Sequence, residues 1–301
     1  MKNISKNIYK REDGRLILLH KFDSLRQHIT YSRKVWNEQK EFVRKHWTGS
    51  TAITNGHQIG RQFPGGFKEC FGEAGMPWPD GMEILEDARK SLKGIELPIP
   101  ESIRRRKTWS EETGDSIDIH RLYAGVPYWR DIEGRQAQGG CPIVTVICNV
   151  GSHWGITPEE IVWRGIAALI VTDILEDAGY RVELWAAREG RSQYTRPETL
   201  LKESHGPMVE PVLVSGLAGW YYRTIVWLSY YDREEDRKLC EGLGSPMGSF
   251  SDEGIELITG QDYTGKVFCI NEVYDKDACV ELVKETLVQF NPAEESAVGV
   301  G

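Results

Sequence analysis

Hydrophobic and polar positions separate most cleanly in the second half of the chain. Residues 142–148, Pro-Ile-Val-Thr-Val-Ile-Cys, are almost unbroken apolar and β-branched, the pattern of a strand covered on both faces. After the loop 149–156, three signals predict a helix start. Thr157 can cap, Pro158 suits the first helical position, and Glu160 completes a capping box. That helix is expected to run to about Ala178 and stop at Gly179, with the next strand at residues 181–187. Strand, long helix, strand is a βαβ unit, which predicts parallel strands and a right-handed crossover.

Further on, residues 199–203 read as a short antiparallel edge strand. Residues 211–231 read as one apolar helix, with Gly216 and Gly219 permitting close packing. Residues 266–270 form another buried strand, and Asp275 starts a closing helix through Cys279, Val280, Val283 and Leu287. The expected fold class is α/β, a mostly parallel sheet with helices on both faces.

The first half is less regular. Residues 21–47 read as helical, with Trp36, Val43 and Trp47 at helix-compatible spacing. Residues 49–81 are rich in Gly, Pro and aromatics, which suits an irregular segment pinned by its rings. Asp80 is placed to cap a helix through Met82, Ile84, Leu85 and Ala88 to about Leu92. A short helical piece is expected near residues 117–123. The organisation expected is an aromatic-rich, partly helical N-terminal region over 1–140, an α/β domain over 141–290 and a loose tail over 291–301.

Composition narrows the classes. The 301 residues carry 37 Lys+Arg against 45 Asp+Glu, a net charge of −8, which argues against wholesale coating of nucleic acid. Residues 1–20 hold only a four-residue apolar run, Leu16-Ile17-Leu18-Leu19, short of a signal peptide. The most apolar stretch, 161–175, carries Arg164, Thr172 and Asp173 and is too short to cross a bilayer. A cytoplasmic protein with no membrane partner is expected. The six cysteines show no CxxC pair and no zinc-finger spacing, so free thiols are expected and no metal is assigned.

Ligands of open α/β sheets bind beyond the carboxyl ends of the strands. The loop after the first of these strands therefore supplies the candidate ligand or ion residues Asn149, Gly151, Ser152 and His153. Turn hydrogen bonds are the simpler reading of Asn149 and Ser152. Neither a dinucleotide fingerprint, a phosphate loop, nor a nucleophile elbow occurs, so no catalytic residue and no cofactor is assigned. The basic run Arg104, Arg105, Arg106 and Lys107, beside Trp109, is a nucleic-acid candidate, with a solvated loop balanced by Glu111, Glu112 and Asp115 as the simpler reading. Tyr123, Tyr128 and Trp129 are a partner-binding candidate if exposed and internal packing if not.

The order of elements over residues 142–290 resembles a von Willebrand factor A-type domain. In that family the loop after the first strand carries Asp-x-Ser-x-Ser and binds a divalent cation. The matching positions here are Asn149, Gly151 and His153, so one carboxylate has become an amide and both hydroxyl ligands are gone. The chain also resembles a group of uncharacterised phage and mobile-element proteins. That likeness lies in the Trp- and Gly-rich N-terminal part, in Arg164-Gly165-Ile166-Ala167-Ala168 and in residues 178–183.

Three functional readings follow. The first is a non-catalytic assembly or interaction protein, with a protein partner or self-association, supported by the abundance of Trp and Tyr. The second is an enzyme with a site around Asn149, Ser152 and His153. The third is a nucleic-acid-binding component using Arg104 to Lys107.

Overall fold

The structure, a computed structural model, describes residues 5–10, 16–46, 53–56, 59–92, 106–110, 116–117, 127–133, 143–151, 155–177, 180–188, 194–229, 232 and 265–288. The chain begins with β1 (Ser5–Lys10), β2 (Leu16–Phe22) and α1 (Leu25–His46), then α2 (Phe67–Glu73) and α3 (Pro79–Leu92). Three strands follow, β3 (Arg106–Ser110), β4 (Ser116–Ile117) and β5 (Trp129–Glu133). The remainder is β6 (Ile143–Asn149), α4 (Pro158–Asp177), β7 (Arg181–Ala187), β8 (Tyr194–Lys202), α5 (Glu210–Leu217), β9 (Lys266–Ile270) and α6 (Lys276–Val288).

Local chemistry sets the two helix starts that position the strand-end loops. The Glu160 N–H donates to Thr157 Oγ1 at 3.2 Å while the Thr157 N–H donates to Glu160 Oε2 at 2.7 Å. This reciprocal box satisfies two donors that the first turn of α4 would otherwise leave open. At α6 the Ala278 N–H donates to Asp275 Oδ1 at 2.8 Å. Gly265 enters β9 at φ +84°, where an added Cβ would lie 1.9 Å from the Ile143 carbonyl oxygen. Only a residue without a side chain fits that approach.

Six strands form one sheet in the order β1-β2-β8-β7-β6-β9, and β3-β5-β4 form a second. Within the large sheet β6 runs parallel to both β7 and β9, and β2 runs parallel to β8. The pairs β1–β2 and β7–β8 are antiparallel. The mixed but mostly parallel α/β sheet is as expected, and so are the parallel β6–α4–β7 unit and strands β7 and β9.

Several expectations need correction. The strand expected at 199–203 on the edge is β8, which is longer and lies inside the sheet, because β2 pairs along its other side. The apolar run 211–231 is not one helix. It breaks at Ala218, whose backbone is extended, then resumes as a short turn Gly219–Tyr221 leading into a π-helical segment Tyr222–Val226. Ser116 and Ile117 are in a strand rather than at the start of a helical piece, and residues 118–126 lie outside the described residues. Asp80 sits in the first turn of α3 instead of capping it.

Among the described residues, the helices pack on one face of the large sheet. Val144, Val146 and Cys148 of β6 share one core with Leu184 of β7, Ile270 of β9, Ile166 of α4, Leu213 of α5 and Cys279 of α6. Among the described residues, the opposite face holds a small cluster of strand residues only, Ile147, Trp185 and Ala187 with Leu200, Val267 and Cys269. Between β7 and the antiparallel β8 there are only six residues, too few for a crossover helix. The main core also takes Ile29, Phe63, Phe71 and Leu85 from before residue 140, so it is continuous across that point. Arg89 of α3 ties neighbouring helices together, donating to Glu210 of α5 at 2.9 Å and to Asp173 of α4 at 3.2 Å.

Candidate functional site at the strand ends

The register places the ends of β6, β7 and β9 side by side, with Cys148 opposite both Ala186 and Ile270. Beyond them the chain turns immediately. The Asn149 side-chain Oδ1 accepts the Gly151 N–H at 2.8 Å, and its Nδ2 donates to Asn271 Oδ1 at 3.5 Å. The Val150 N–H donates to the Ala187 carbonyl at 2.8 Å. Asn149 and Gly151 are both buried, and the amide does the work of a turn residue. Ser152 and His153 lie outside the described residues.

The carbonyl oxygens of this loop face a charge that the sequence reading had not assigned to the site. Arg164, two turns into α4, is 1% exposed. Its Nη1 donates to the Asn149 carbonyl at 2.6 Å and to the Gly151 carbonyl. The guanidinium also lies 5.2 Å from the centre of the Tyr274 ring, in the segment between β9 and α6. One resident cation thus gathers the ends of β6, β9 and α4. The carbonyls at 149 and 151 are occupied by its N–H donors, and among the described residues no group of three or more His, Cys, Asp or Glu is placed to hold a metal ion.

Two more arginines reach the same end. Arg188 follows β7 directly, is fully buried, and holds its guanidinium 5.8 Å from the Tyr222 ring centre. Tyr222 opens the π-helical segment, and the next residue, Arg223, donates from Nη2 to the Ile156 carbonyl at 2.7 Å. The widened π turn therefore presents two successive side chains to the strand-end loops. Such single π turns are often found at functional sites.

Burial displaces three titratable groups in the core. Burial raises the Cys148 thiol to about 12, against the lowering effect of the Arg164 charge. Burial likewise raises Cys70, on which Thr224 Oγ1 lies at 3.4 Å, to about 12. His28 of α1 is buried and lowered to about 3 by desolvation. Its Nδ1 lies 2.8 Å from Thr199 Oγ1 of β8 and 3.4 Å from the Tyr221 hydroxyl, and its ring stacks on Phe22 at 4.0 Å. Neither the thiols nor this imidazole is poised to exchange protons at pH 7. The described cysteines 70, 148, 269 and 279 are free thiols.

The other candidates do not join this site. Arg106 and Lys107 open β3 of the small sheet, and Arg104 and Arg105 lie outside the described residues. Trp129 opens β5 of the small sheet and Tyr128 precedes it; both are half-buried, with ring centres 6.1 Å apart, and Tyr123 lies outside the described residues. Sequence reasoning missed Arg164, Arg188, Tyr222, Arg223 and Tyr274. A signal existed for Arg164. It is the only basic residue within the apolar run 161–175, and a helix that is mostly apolar around its circumference is a buried one.

A family model described as "Domain of unknown function (DUF7192)" matches residues 7–291. The chain belongs to the DUF7192 family. The match spans β1 to α6, so the strand-end site lies wholly within the family domain. No curated protein and no solved structure matches the chain.

Proposed function

We propose that this DUF7192 protein is a non-catalytic interaction component that receives an anionic ligand, or an anionic group of a partner, at the carboxyl ends of β6, β7 and β9. The convergence of Arg164, Arg188 and Arg223 on that end carries the reading. A chain of net charge −8 concentrates three cations where α/β sheets receive ligands. The displaced values of Cys148 and His28 support binding over turnover, since these groups hold their protons fixed across the neutral range.

The likeness to a von Willebrand A-type domain belongs to this proposal. It is supported by the succession of β6, its loop, α4, β7, β8, α5, β9 and α6, with the binding end in the same place. Two features depart from it: β8 is interior, and the described helices share one face. The sign of the ligand is reversed as well. That family's loop holds a cation for a partner's carboxylate, whereas here Arg164 itself supplies the positive charge.

The test is a thermal-unfolding panel at constant ionic strength, comparing pyrophosphate and citrate with neutral glycerol and cationic spermidine. The expected result is a saturable rise in Tm with the anions alone, and pyrophosphate recovered intact. A Tm that no anion raises above the chloride control would contradict the reading.

A further inference from the structure

A guanidinium has five N–H donors in a fixed plane. In Arg164 the two on Nη1 are used on the Asn149 and Gly151 carbonyls. Nε and Nη2 are buried and have no hydrogen-bond partner. These two nitrogens are neighbours on one edge of the guanidinium, the edge whose parallel N–H bonds match the two oxygens of a carboxylate or phosphate. Arg164 also makes no ion pair with any described carboxylate, so its charge is buried with only carbonyl dipoles and the Tyr274 ring against it. Leaving a buried charge and three donors without partners is costly, and native proteins rarely do so. The phenolic oxygen of Tyr222, fully buried against Arg188 at the same end of the sheet, also has no hydrogen-bond partner.

We infer that the Nε–Nη2 edge of Arg164 is a binding site for a single oxyanion, taken up bidentately at the end of β6. The inference rests on the reading of the strand ends as an anion-binding site and assigns the contact and the chemistry. The ligand carries a phosphoryl or a carboxylate group. Arg164 has two separable jobs: Nη1 fixes the loop 149–151 by its carbonyls, and the opposite edge receives the oxyanion. The loop thereby presets the guanidinium plane, so binding costs little reordering.

Arg164→Lys separates the two jobs, because an ammonium can still donate to both carbonyls but has no planar fork. Unfolding of the full chain is followed with inorganic phosphate and, separately, acetate, at fixed ionic strength. The wild-type protein is expected to gain at least about 3 °C at saturating phosphate or acetate, and Arg164→Lys to lose that gain. Stabilisation by phosphate alone assigns a phosphoryl ligand, and stabilisation by acetate assigns a carboxylate. No response to either anion overturns the inference. If the wider anion panel stabilises the protein but Arg164→Lys responds as the wild type does, the fork assignment falls and the broader reading stands. Should Arg164→Lys fail to unfold cooperatively, equilibrium dialysis of the wild-type protein with radiolabelled phosphate, and with radiolabelled acetate, decides. One bound anion per chain upholds the inference, and no retention of either overturns it.

Discussion

His28 shows how a single buried side chain ties stability to pH. Its ring is enclosed by Phe22, Thr199 and Tyr221, and desolvation lowers its pKa from 6.5 to about 3. The unfolded chain therefore takes up a proton before the folded one as pH falls. Stability from this residue is complete above about pH 6.5 and is lost progressively toward pH 3, by up to about 1.4 kcal/mol per pH unit. Removing the titration in His28→Phe should flatten the fall in Tm between about pH 7.5 and pH 5, although the variant loses the contact with Thr199. Parallel curves for the two proteins would show that His28 is not the coupled group. At this scale the sequence was partly legible. Asn149 was marked for its loop and took the turn role that its short amide suits. Arg188 and Tyr222 gave no local signal, because their meeting depends on where β7 ends relative to a π turn more than 30 residues later.

Element boundaries that rest on local hydrogen bonds were legible. The capping box at Thr157 and Glu160, the Asp275 cap and the β-branched run of β6 all report their structure within a few residues. Helix contacts were only partly so. Gly216 and Gly219 were expected to allow close packing, and they do: an added Cβ would lie 3.3 Å from Leu201 Cδ2 and 3.5 Å from Pro158 Cα. Tighter approaches that the pattern did not mark are at Gly81 of α3, where a Cβ would lie 2.2 Å from Val214 Cγ1 of α5, and at Gly165 of α4, where it would lie 2.7 Å from Leu217 Cβ of α5. Leu217 Cβ is next to the backbone and cannot swing away. Gly165→Ala should therefore destabilise the protein by about 1–3 kcal/mol from overpacking, outweighing about 1 kcal/mol of gained helix propensity. Denaturant unfolding would measure it, and a more stable variant would show that α4 and α5 can move apart. The break at Ala218 was illegible for a related reason. Its apolar flanks continue the helical period, so nothing in the pattern marks the extended Ala218.

Across the whole molecule, the α/β class was legible from the βαβ pattern, whereas the strand order was not. Placing β8 inside the sheet requires β2, and residues 16–22 carry too short an apolar run to announce a strand that pairs with one nearly 180 residues away. The same long-range pairing joins the N-terminal part to the main core, and the described helices pack on one face of the sheet. With α4 packed on that face, Arg164 is carried under the loop at the end of β6, and Arg188 and Arg223 arrive from β7 and the π turn. The convergence of these arginines is thus a product of the fold, assembled from three separate segments of an acidic chain.

The most direct test of that end as an oxyanion site is the Nε–H signal of Arg164 in a proton–nitrogen correlation spectrum of the full chain, assigned by its absence from Arg164→Lys. With no partner in the free protein, this N–H should shift downfield and saturate as inorganic phosphate or acetate is added, reporting a new hydrogen bond to an anionic oxygen. A signal that stays fixed through both titrations would contradict the account.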